Sequence, residues 1–331
     1  MKPQVTLKRI SEMLNISIST VSRALKDHPD ISETTRRKVQ ELAQMLEYEP
    51  NAYAISLRTN NSKEFGVILP DISNHFYLSF IASLEEEARR YGYSLIILQS
   101  GNDQAIERDN VKRCRFARVA GVFISVTAET EDIKEMLKMD EQNIPVIFCD
   151  KVPAFEACNK VCVADEQATH LAAAELLKKN KKNILAIFGD AHLSITQIRM
   201  LAFTAYMSEH NASAKYTIIH AANPQEAATA VQKAMKARRR PDAIFSMSDD
   251  ILTGVMRSIQ RSGLRFPDDI GLIAISDGYL PGLYYPEITY VETSGYKLGK
   301  LAFNRMMSCL SGSLFARTLI ADAVLVPGGS L

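Results

Sequence analysis

The chain has 331 residues, of which 47% are hydrophobic, and its formal net charge at pH 7 is +1. This length suits a small domain followed by a larger two-part core. The near-neutral charge excludes binding of nucleic acid through bulk charge alone, and no apolar run reaches the roughly 18 residues that a membrane span needs. The five cysteines show no metal-like spacing. We therefore expect a cytoplasmic protein with reduced thiols, no secretory signal, no metal site and no cofactor.

Residues 6–26 are predicted to form two short helices joined by a tight turn. Thr6 can cap the first helix, in which leucine and isoleucine then recur at helical spacing. Asn15 falls at the turn, and asparagine is one of the few residues besides glycine that tolerate a left-handed backbone. Ser17 can cap the second helix, and Val21 lies on its inward face. Such a pair of helices is typical of DNA-binding proteins.

The outward face of the second helix is polar apart from one isoleucine, and it fits a DNA major groove. Ile18 can contact a thymine methyl group, and Ser19 can pair with several bases. Arg23 matches the O6 and N7 acceptors of guanine, although a surface salt bridge is the alternative role. Contacts to phosphates are expected from Thr20 and Ser22. We also place Thr6, at the start of the first helix, among the DNA-binding residues.

A third helix follows, with Ser32 as its cap and an apolar stripe that includes Val39 and Ala43. It closes an all-α helix-turn-helix headpiece over residues 1–47. Residues 48–62 are predicted to form a hinge helix and a polar linker. A helix of one or two turns is marginal alone. We therefore expect the hinge to be ordered only when it pairs with a second copy or lies on DNA.

From residue 63 onward, apolar runs alternate with amphipathic stretches. This pattern predicts an α/β core with parallel sheets that are covered on both faces. Ten strands are many for one sheet, so two doubly wound lobes are expected. The predicted strands are 65–69, 94–98, 121–126, 145–149, 161–163, 184–188, 216–220, 243–247, 270–275 and 288–292. The main predicted helices are 78–91, 167–180, 197–210, 225–238, 249–262 and 295–310.

Several segments resemble one known family over essentially the whole chain. TLKRISEMLNISISTVSRAL, which begins at Thr6, resembles the helix-turn-helix of LacI/GalR-type repressors. YEPNAYAISLR, which begins at Tyr48, resembles the hinge of that family. GVILPDISNHFY and PDAIFSMSDD resemble landmarks of its sensor domain. Together these motifs are highly specific, although each alone is a weak signal.

The resemblance implies a periplasmic-binding-protein-like core over residues 63–331. Its lobe 1 would comprise residues 63–163 and 292–323, and its lobe 2 residues 164–291 and 324–331. In the hinge, the resemblance implies that Leu57 wedges between base pairs in the minor groove, with Asn51 and Ala54 on a similar face. The alternative is that Leu57 packs against the core.

The same resemblance implies a sequence-specific transcriptional regulator, and we expect a repressor. A homodimer would bind double-stranded DNA at a pseudo-palindromic operator. A sugar-like effector, bound between the lobes, would change the affinity for that operator. Whether the effector releases or tightens DNA binding stays open.

Ligands in open α/β lobes bind at the carboxyl ends of strands. Polar residues follow several predicted strands at those ends, and the resemblance adds an arginine that often reaches across the cleft. The predicted effector-binding residues are Asp71, Ser73, Phe76, Asp150, Arg199, Asp249, Ser276 and Asp277. Asp249 and Asp277 have a purely structural alternative as helix caps. His75 and Tyr77 are expected to be surface or packing residues.

The sensor segment departs from the family pattern at Ser276, where a carboxylate that often grips sugar hydroxyls is expected. A non-sugar ligand, or none, therefore stays open. A solute-binding protein would share the lobes but would not need a headpiece. An enzyme is not expected, because the chain has no phosphate-binding glycine loop, no Gly-x-Ser-x-Gly elbow and no zinc pair of histidines.

Overall fold

The computed structural model describes residues 5–48, 62–130, 132–210, 214–313 and 315–331. The chain divides into two compact units, residues 1–61 and 62–331. The hinge prediction, with Asn51, Ala54 and Leu57, lies outside the described residues.

The first unit is a three-helix headpiece, as predicted. Its helices are α1 (Leu7–Leu14), α2 (Ile18–Ala24) and α3 (Glu33–Met45). The hydroxyl oxygens of the three predicted caps each accept a hydrogen bond from a backbone N–H of the first helical turn. The buried core consists of Ile10, Val21, Ala24, Val39 and Ala43.

The turn between α1 and α2 depends on Asn15. Its backbone is left-handed, with φ 51° and ψ 45°, and its N–H bonds back to carbonyls of the last turn of α1. Since asparagine visits this region more readily than most residues, the sequence permits α2 to begin only three residues later.

The second unit contains two six-stranded sheets. Its strands are β1 (Glu64–Leu69), β2 (Ser94–Gln99), β3 (Gly121–Ile124), β4 (Val146–Cys149), β5 (Asn159–Val163), β6 (Asn183–Phe188), β7 (Lys215–His220), β8 (Ala243–Ser246), β9 (Gly271–Ser276), β10 (Thr289–Glu292), β11 (Thr318–Ala321) and β12 (Val324–Val326). Its helices are α4 (His75–Arg90), α5 (Gln104–Ala117), α6 (Lys134–Glu141), α7 (Asp165–Lys178), α8 (Ser194–His210), α9 (Pro224–Met235), α10 (Asp249–Arg261) and α11 (Gly295–Leu310).

The strand order in one sheet is β11-β5-β4-β3-β1-β2, and in the other it is β12-β10-β9-β8-β6-β7. All neighbouring strands are parallel except β12, which runs antiparallel to β10. We call the first sheet with its helices lobe 1 and the second lobe 2. The chain enters lobe 2 after β5, returns to lobe 1 after β10 and crosses again after β11.

The ten predicted strands are confirmed, whereas β11 and β12 were not predicted. The central strands are apolar and buried on both faces, and lobe 2 has one large core cluster. In lobe 1 two core clusters lie on the two faces of the sheet. No helix among the described residues is both long and apolar enough to cross a membrane.

Two glycines fix the packing of α11 against α4. A Cβ atom on Gly295 would lie 2.2 Å from the carbonyl oxygen of Phe76, and one on Gly299 would lie 2.7 Å from that of Phe80. The absence of side chains at these positions therefore lets the two backbones approach closely. This packing brings the first turn of α11 against the first turn of α4.

Candidate functional site

The exposed face of α2 carries the predicted base-reading residues. The side chain of Ile18 is 47% exposed, and Ser19 is also exposed. The Ser17 hydroxyl shares hydrogen bonds with the hydroxyls of Ser19 at 2.7 Å and Thr20 at 2.8 Å. It also accepts the backbone N–H of Thr20 at 3.1 Å. The first turn of α2 thus presents an ordered row of small polar groups with one apolar side chain.

Arg23 lies one turn further along α2 and projects into solvent. Its only carboxylate neighbour among the described residues is Asp30, at 4.0 Å, and the two side chains are 58% and 65% exposed. An exposed pair at this distance stabilises a protein by at most about 1 kcal/mol. A surface salt bridge was the alternative role for Arg23. This salt bridge constrains the Arg23 side chain only weakly. Thr6 is exposed and its hydroxyl accepts the backbone N–H of Arg9 at 3.3 Å.

In the second unit, a cavity of about 680 Å³ lies between the two lobes. All eight predicted effector-binding residues line it, although they come from distant parts of the sequence. They are brought together because parallel strands of each lobe end at this cavity. Its size falls within the range of about 300–1,000 Å³ that is usual for small-molecule sites.

The lobe 1 wall of the cavity is built from the loops after β1, β2, β3 and β4. Asp71 accepts hydrogen bonds from the backbone N–H and the hydroxyl of Ser73, at 2.8 and 2.9 Å. Asp150 has a left-handed backbone with φ 62°. The Tyr77 hydroxyl donates to Oδ2 of Asp150 at 2.7 Å and lies 2.8 Å from the hydroxyl of Ser125. Tyr77, which was expected to be a surface or packing residue, packs in the lobe 1 core and also lines the cavity.

The lobe 2 wall is built from the loops after β6, β7, β8 and β9. Oδ1 of Asp249 accepts a hydrogen bond from the Ser276 hydroxyl at 2.5 Å, and Oδ2 accepts one from the backbone N–H of Asp277 at 3.0 Å. Burial raises the pKa of Asp249 to about 6, more than these hydrogen bonds lower it. The helix cap of α10 is Ser248 rather than Asp249. Asp249 instead links the segment after β8 to the end of β9. The Ser276 hydroxyl is used in this hydrogen bond.

Arg199 also lines the cavity, but its charge is matched within lobe 2. Its side chain is almost fully buried, and its Nε and Nη2 atoms each lie 2.7 Å from Oδ1 of Asp165 at the start of α7. Nη1 donates to the backbone carbonyl of Met247. The expected reach across the cleft is therefore not seen. An effector-binding role for Arg199 stays a prediction.

Several contacts join the lobes beside the cavity. The Asn74 side chain donates to Asp250 at 3.0 Å. His75 lies 3.4 Å from the carboxylate of Asp277 and stacks on Tyr279 with ring centroids 4.0 Å apart. Asp277 further accepts the backbone N–H of Gly295 in lobe 1 at 2.7 Å.

These contacts were not predicted from the sequence. His75 has a packing role, as expected, but its partner belongs to the other lobe. The only sequence signal was the presence of polar side chains at two strand ends, in the Ser73-Asn74 and Asp249-Asp250 pairs.

A second cavity, of about 730 Å³, adjoins the first at Asp150 and Ile195. Apart from Asp150, none of the predicted effector-binding residues line it. Its wall is mainly apolar and includes Ile198 and Ile320. We therefore regard the 680 Å³ cavity as the candidate effector site. Among the described residues no group of three or more His, Cys, Asp or Glu side chains is placed to hold a metal ion.

Comparison with known proteins agrees with this organisation. Residues 6–51 match the family described as "Bacterial regulatory proteins, lacI family". Residues 62–321 match that described as "Periplasmic binding proteins and sugar binding domain of LacI family". These two matches cover the headpiece and both lobes.

Curated relatives match over nearly the full length. The HTH-type transcriptional repressor PurR of Vibrio campbellii (strain ATCC BAA-1116) is 27% identical over 304 residues, which are 91% of each chain. Catabolite control protein A of Priestia megaterium is 28% identical over 327 residues, covering 98% of this chain and 96% of that protein. Among solved structures, a Lac repressor dimer bound to operator and the anti-inducer ONPF has a TM-score of 0.86 at 22% identity, covering 99% of both chains.

The helix-turn-helix headpiece, the two lobes and the matches to both family domains lead to one assignment. The chain belongs to the LacI family of DNA-binding transcriptional regulators.

Proposed function

We propose that this protein is a homodimeric repressor that binds a pseudo-palindromic operator, and that a small hydroxylated molecule in the interlobe cavity changes its operator affinity. The effector part is supported by one observation: the eight predicted effector-binding residues, seven near strand ends and Arg199 from the family resemblance, all line one cavity of ligand size. The proposed place of action is the cytoplasm, where the DNA lies.

The proposed reading of DNA divides α2 into two parts. Ile18 and Ser19, in its exposed first turn, contact base edges with limited discrimination. Arg23 supplies the stronger selection, because a guanidinium can donate two hydrogen bonds to one guanine. Thr20 and Ser22, which are half-buried, contact phosphates and fix the register. Thr6 adds a phosphate contact at the start of α1.

Two copies are required in this proposal. One headpiece reads only a few base pairs, and a two-fold dimer places two recognition helices on successive half-sites. The proposed hinge would pair with its copy, insert Leu57 into the minor groove and place Asn51 and Ala54 near the groove floor. Analytical ultracentrifugation with and without operator tests the dimer directly.

The proposed coupling passes through the relative position of the lobes. An effector that binds one arrangement better than the other shifts their populations, and a full reversal needs a differential of about 5.5 kcal/mol. The bonds from Asn74 to Asp250 and from Asp277 to Gly295 are the contacts between lobes that such a shift would break or remake.

The test is a selection of random DNA duplexes on the purified protein, repeated with a panel of sugars and nucleobases. We expect enrichment of a palindrome whose recovery changes with one compound. A palindrome that is indifferent to every compound would retain the DNA-binding proposal and contradict a sugar or nucleobase effector. No enriched sequence in any condition would overturn the operator proposal.

A further inference from the structure

We propose that the effector is a positively charged molecule, namely a hydroxylated amine of the size of an amino sugar. This inference rests on the proposed function, because it takes the interlobe cavity as the effector site. The cavity is identified by its size and its position between the lobes, and the charges of its wall define the class of ligand.

The wall of the cavity is strongly negative. Seven carboxylates line it, against the two permanently charged cations Lys151 and Arg199. The seven are Asp71, Glu129, Asp150, Asp190, Asp249, Asp250 and Asp277. Arg199 does not offset them, since its Nε and Nη2 atoms already contact the buried carboxylate of Asp165. Lys151 is therefore the single lining cation that remains to balance seven acids.

Among the acids with a free carboxylate oxygen, Asp150 and Asp250 come from opposite lobes. Among the described residues, hydrogen bonds are made only to Oδ2 of Asp150, from Tyr77, and only to Oδ2 of Asp250, from Asn74. Both charges also raise the pKa of the Tyr77 phenol, although burial is the larger cause. Asp150 and Asp250 thus each offer a free carboxylate oxygen to the cavity, one from each lobe, as an acceptor for an ammonium group.

This arrangement separates three classes of ligand. A phosphate or a sugar acid would add a like charge to a partly buried acidic wall, which is costly. A neutral sugar can donate hydroxyl hydrogen bonds to the carboxylates but brings no positive charge to them. An amine can donate hydrogen bonds to carboxylates of both lobes and also brings a positive charge, so it favours closure of the lobes.

The test uses matched sets of ligands on the full chain. Isothermal titration calorimetry compares glucosamine, glucose and glucose 6-phosphate, and the corresponding galactose and mannose sets, at a pH at which the amines are protonated. We expect at least one amine to bind at least about 10-fold more tightly than its neutral parent, and the phosphates not to bind. Equal or tighter binding of a neutral parent or a phosphate would overturn the inference, as would failure of every amine.

Variants of the cavity wall show which charged side chains determine the affinity for the amine. Asp150→Asn and Asp250→Asn should each weaken the amine by about 10-fold and leave the affinity for the neutral parent unchanged. Lys151→Gln should tighten the amine. Asp109→Asn, on the exposed face of α5, is the matched control and should change neither affinity. Equal losses for amine and neutral parent in the cavity variants would indicate structural damage and contradict the charge argument.

The same ligands are then added to the random-duplex selection, which separates this inference from the proposed function. An operator that responds to a neutral sugar would sustain the proposed function and overturn the inference. An amine that binds in calorimetry while no operator is enriched would sustain the ligand class and overturn the operator proposal.

Discussion

Asn74 and Asp250 are 176 positions apart in the sequence, yet their side chains form a 3.0 Å hydrogen bond that joins lobe 1 to lobe 2. Asn74 has a second role, since its Oδ1 accepts the backbone N–H of Phe76 at 2.9 Å and caps α4. The Asn74 side chain thus both caps α4 and joins the two lobes beside the cavity. These two roles can be separated by substitution.

Asn74→Asp should open the lobes without harming α4. Aspartate caps a helix about as well as asparagine, but it places a negative charge where the donor to Asp250 was. We expect a larger radius of gyration in small-angle X-ray scattering of the ligand-free protein. Asn74→Ser keeps a cap and loses the donor without adding a charge, so its lobes should open less. A radius of gyration equal to that of the wild-type protein in both variants would show that the contact with Asp250 does not hold the lobes together.

Arg199→Met should destabilise the second unit by about 3–5 kcal/mol, because it leaves the Asp165 carboxylate buried without its partner. Asp165→Asn should have a similar effect, and the double variant should cost less than the sum of the two single changes. Urea unfolding of the full chain measures each free energy. If Arg199 bound a ligand but did not stabilise the fold, Arg199→Met would have the same midpoint of urea unfolding as the wild-type protein. That result would contradict our expectation.

The pH dependence of stability should carry a contribution from Asp249. Burial raises its folded-state pKa to about 6, above the ordinary value of 3.8, so the folded protein holds this proton more tightly than the unfolded chain. The resulting stabilisation is fully present below about pH 4 and is lost as the pH rises through about 6, by at most about 3 kcal/mol. Urea unfolding between pH 4 and pH 7 measures this slope.

Asp249→Asn should flatten the slope, because the amide has no proton to release in this range. Asp268→Asn, at an exposed carboxylate of lobe 2, is the control and should retain it. A slope that is the same in Asp249→Asn and in the wild-type protein would assign the pH dependence to other carboxyls, such as Asp165, whose pKa burial raises to about 6, or Asp250 and Asp277, whose pKa values are also raised by burial.

Local signals in the sequence predicted the fold better than they predicted the site. The headpiece helices follow from caps and apolar spacing, and the ten predicted strands follow from apolar runs. β11 and β12 were missed because strands of four and three residues carry too little pattern. β12 also pairs antiparallel with β10, and the strand–helix alternation does not predict such a pairing.

The rule that ligands bind at the carboxyl ends of strands selected residues that the structure brings to one cavity. It could not supply their partners. The contacts of Arg199 with Asp165 and of His75 with Tyr279 depend on how separate elements pack, and no periodicity encodes them. Tyr77 is buried and packs in the lobe 1 core, within the expectation of a surface or packing residue, but its hydrogen bonds with Asp150 and Ser125 join it to other loops and could not be predicted.

The left-handed turn at Asn15 should tolerate glycine but not a β-branched residue. Asn15→Gly keeps φ near 51° accessible, whereas Asn15→Val should destabilise the headpiece by about 1–2 kcal/mol. Hydrogen–deuterium exchange of residues 7–24 in the full chain reports this loss as faster exchange. Protection in Asn15→Val equal to that of the wild-type protein would mean that the turn can adopt another backbone conformation.

Arg23→Ala should relax operator specificity at one base-pair position in each half-site. The side chain is 58% exposed and its contact with Asp30 is long, so its removal should leave headpiece stability almost unchanged. Loss of a bidentate contact to guanine should cost about 1–3 kcal/mol on the preferred sequence and little on sequences that lack that guanine. Competition binding with single-base operator variants measures this difference.

The matched control for Arg23 is Lys26→Ala, at an exposed lysine just beyond α2 that we expect to contact the phosphate backbone rather than bases. It should weaken binding to all sequences alike and lower the slope of log affinity against log salt concentration. If Arg23→Ala instead weakened every sequence equally, Arg23 would be a phosphate contact. Recognition would then depend on Ile18, Ser19 and the shape of the DNA.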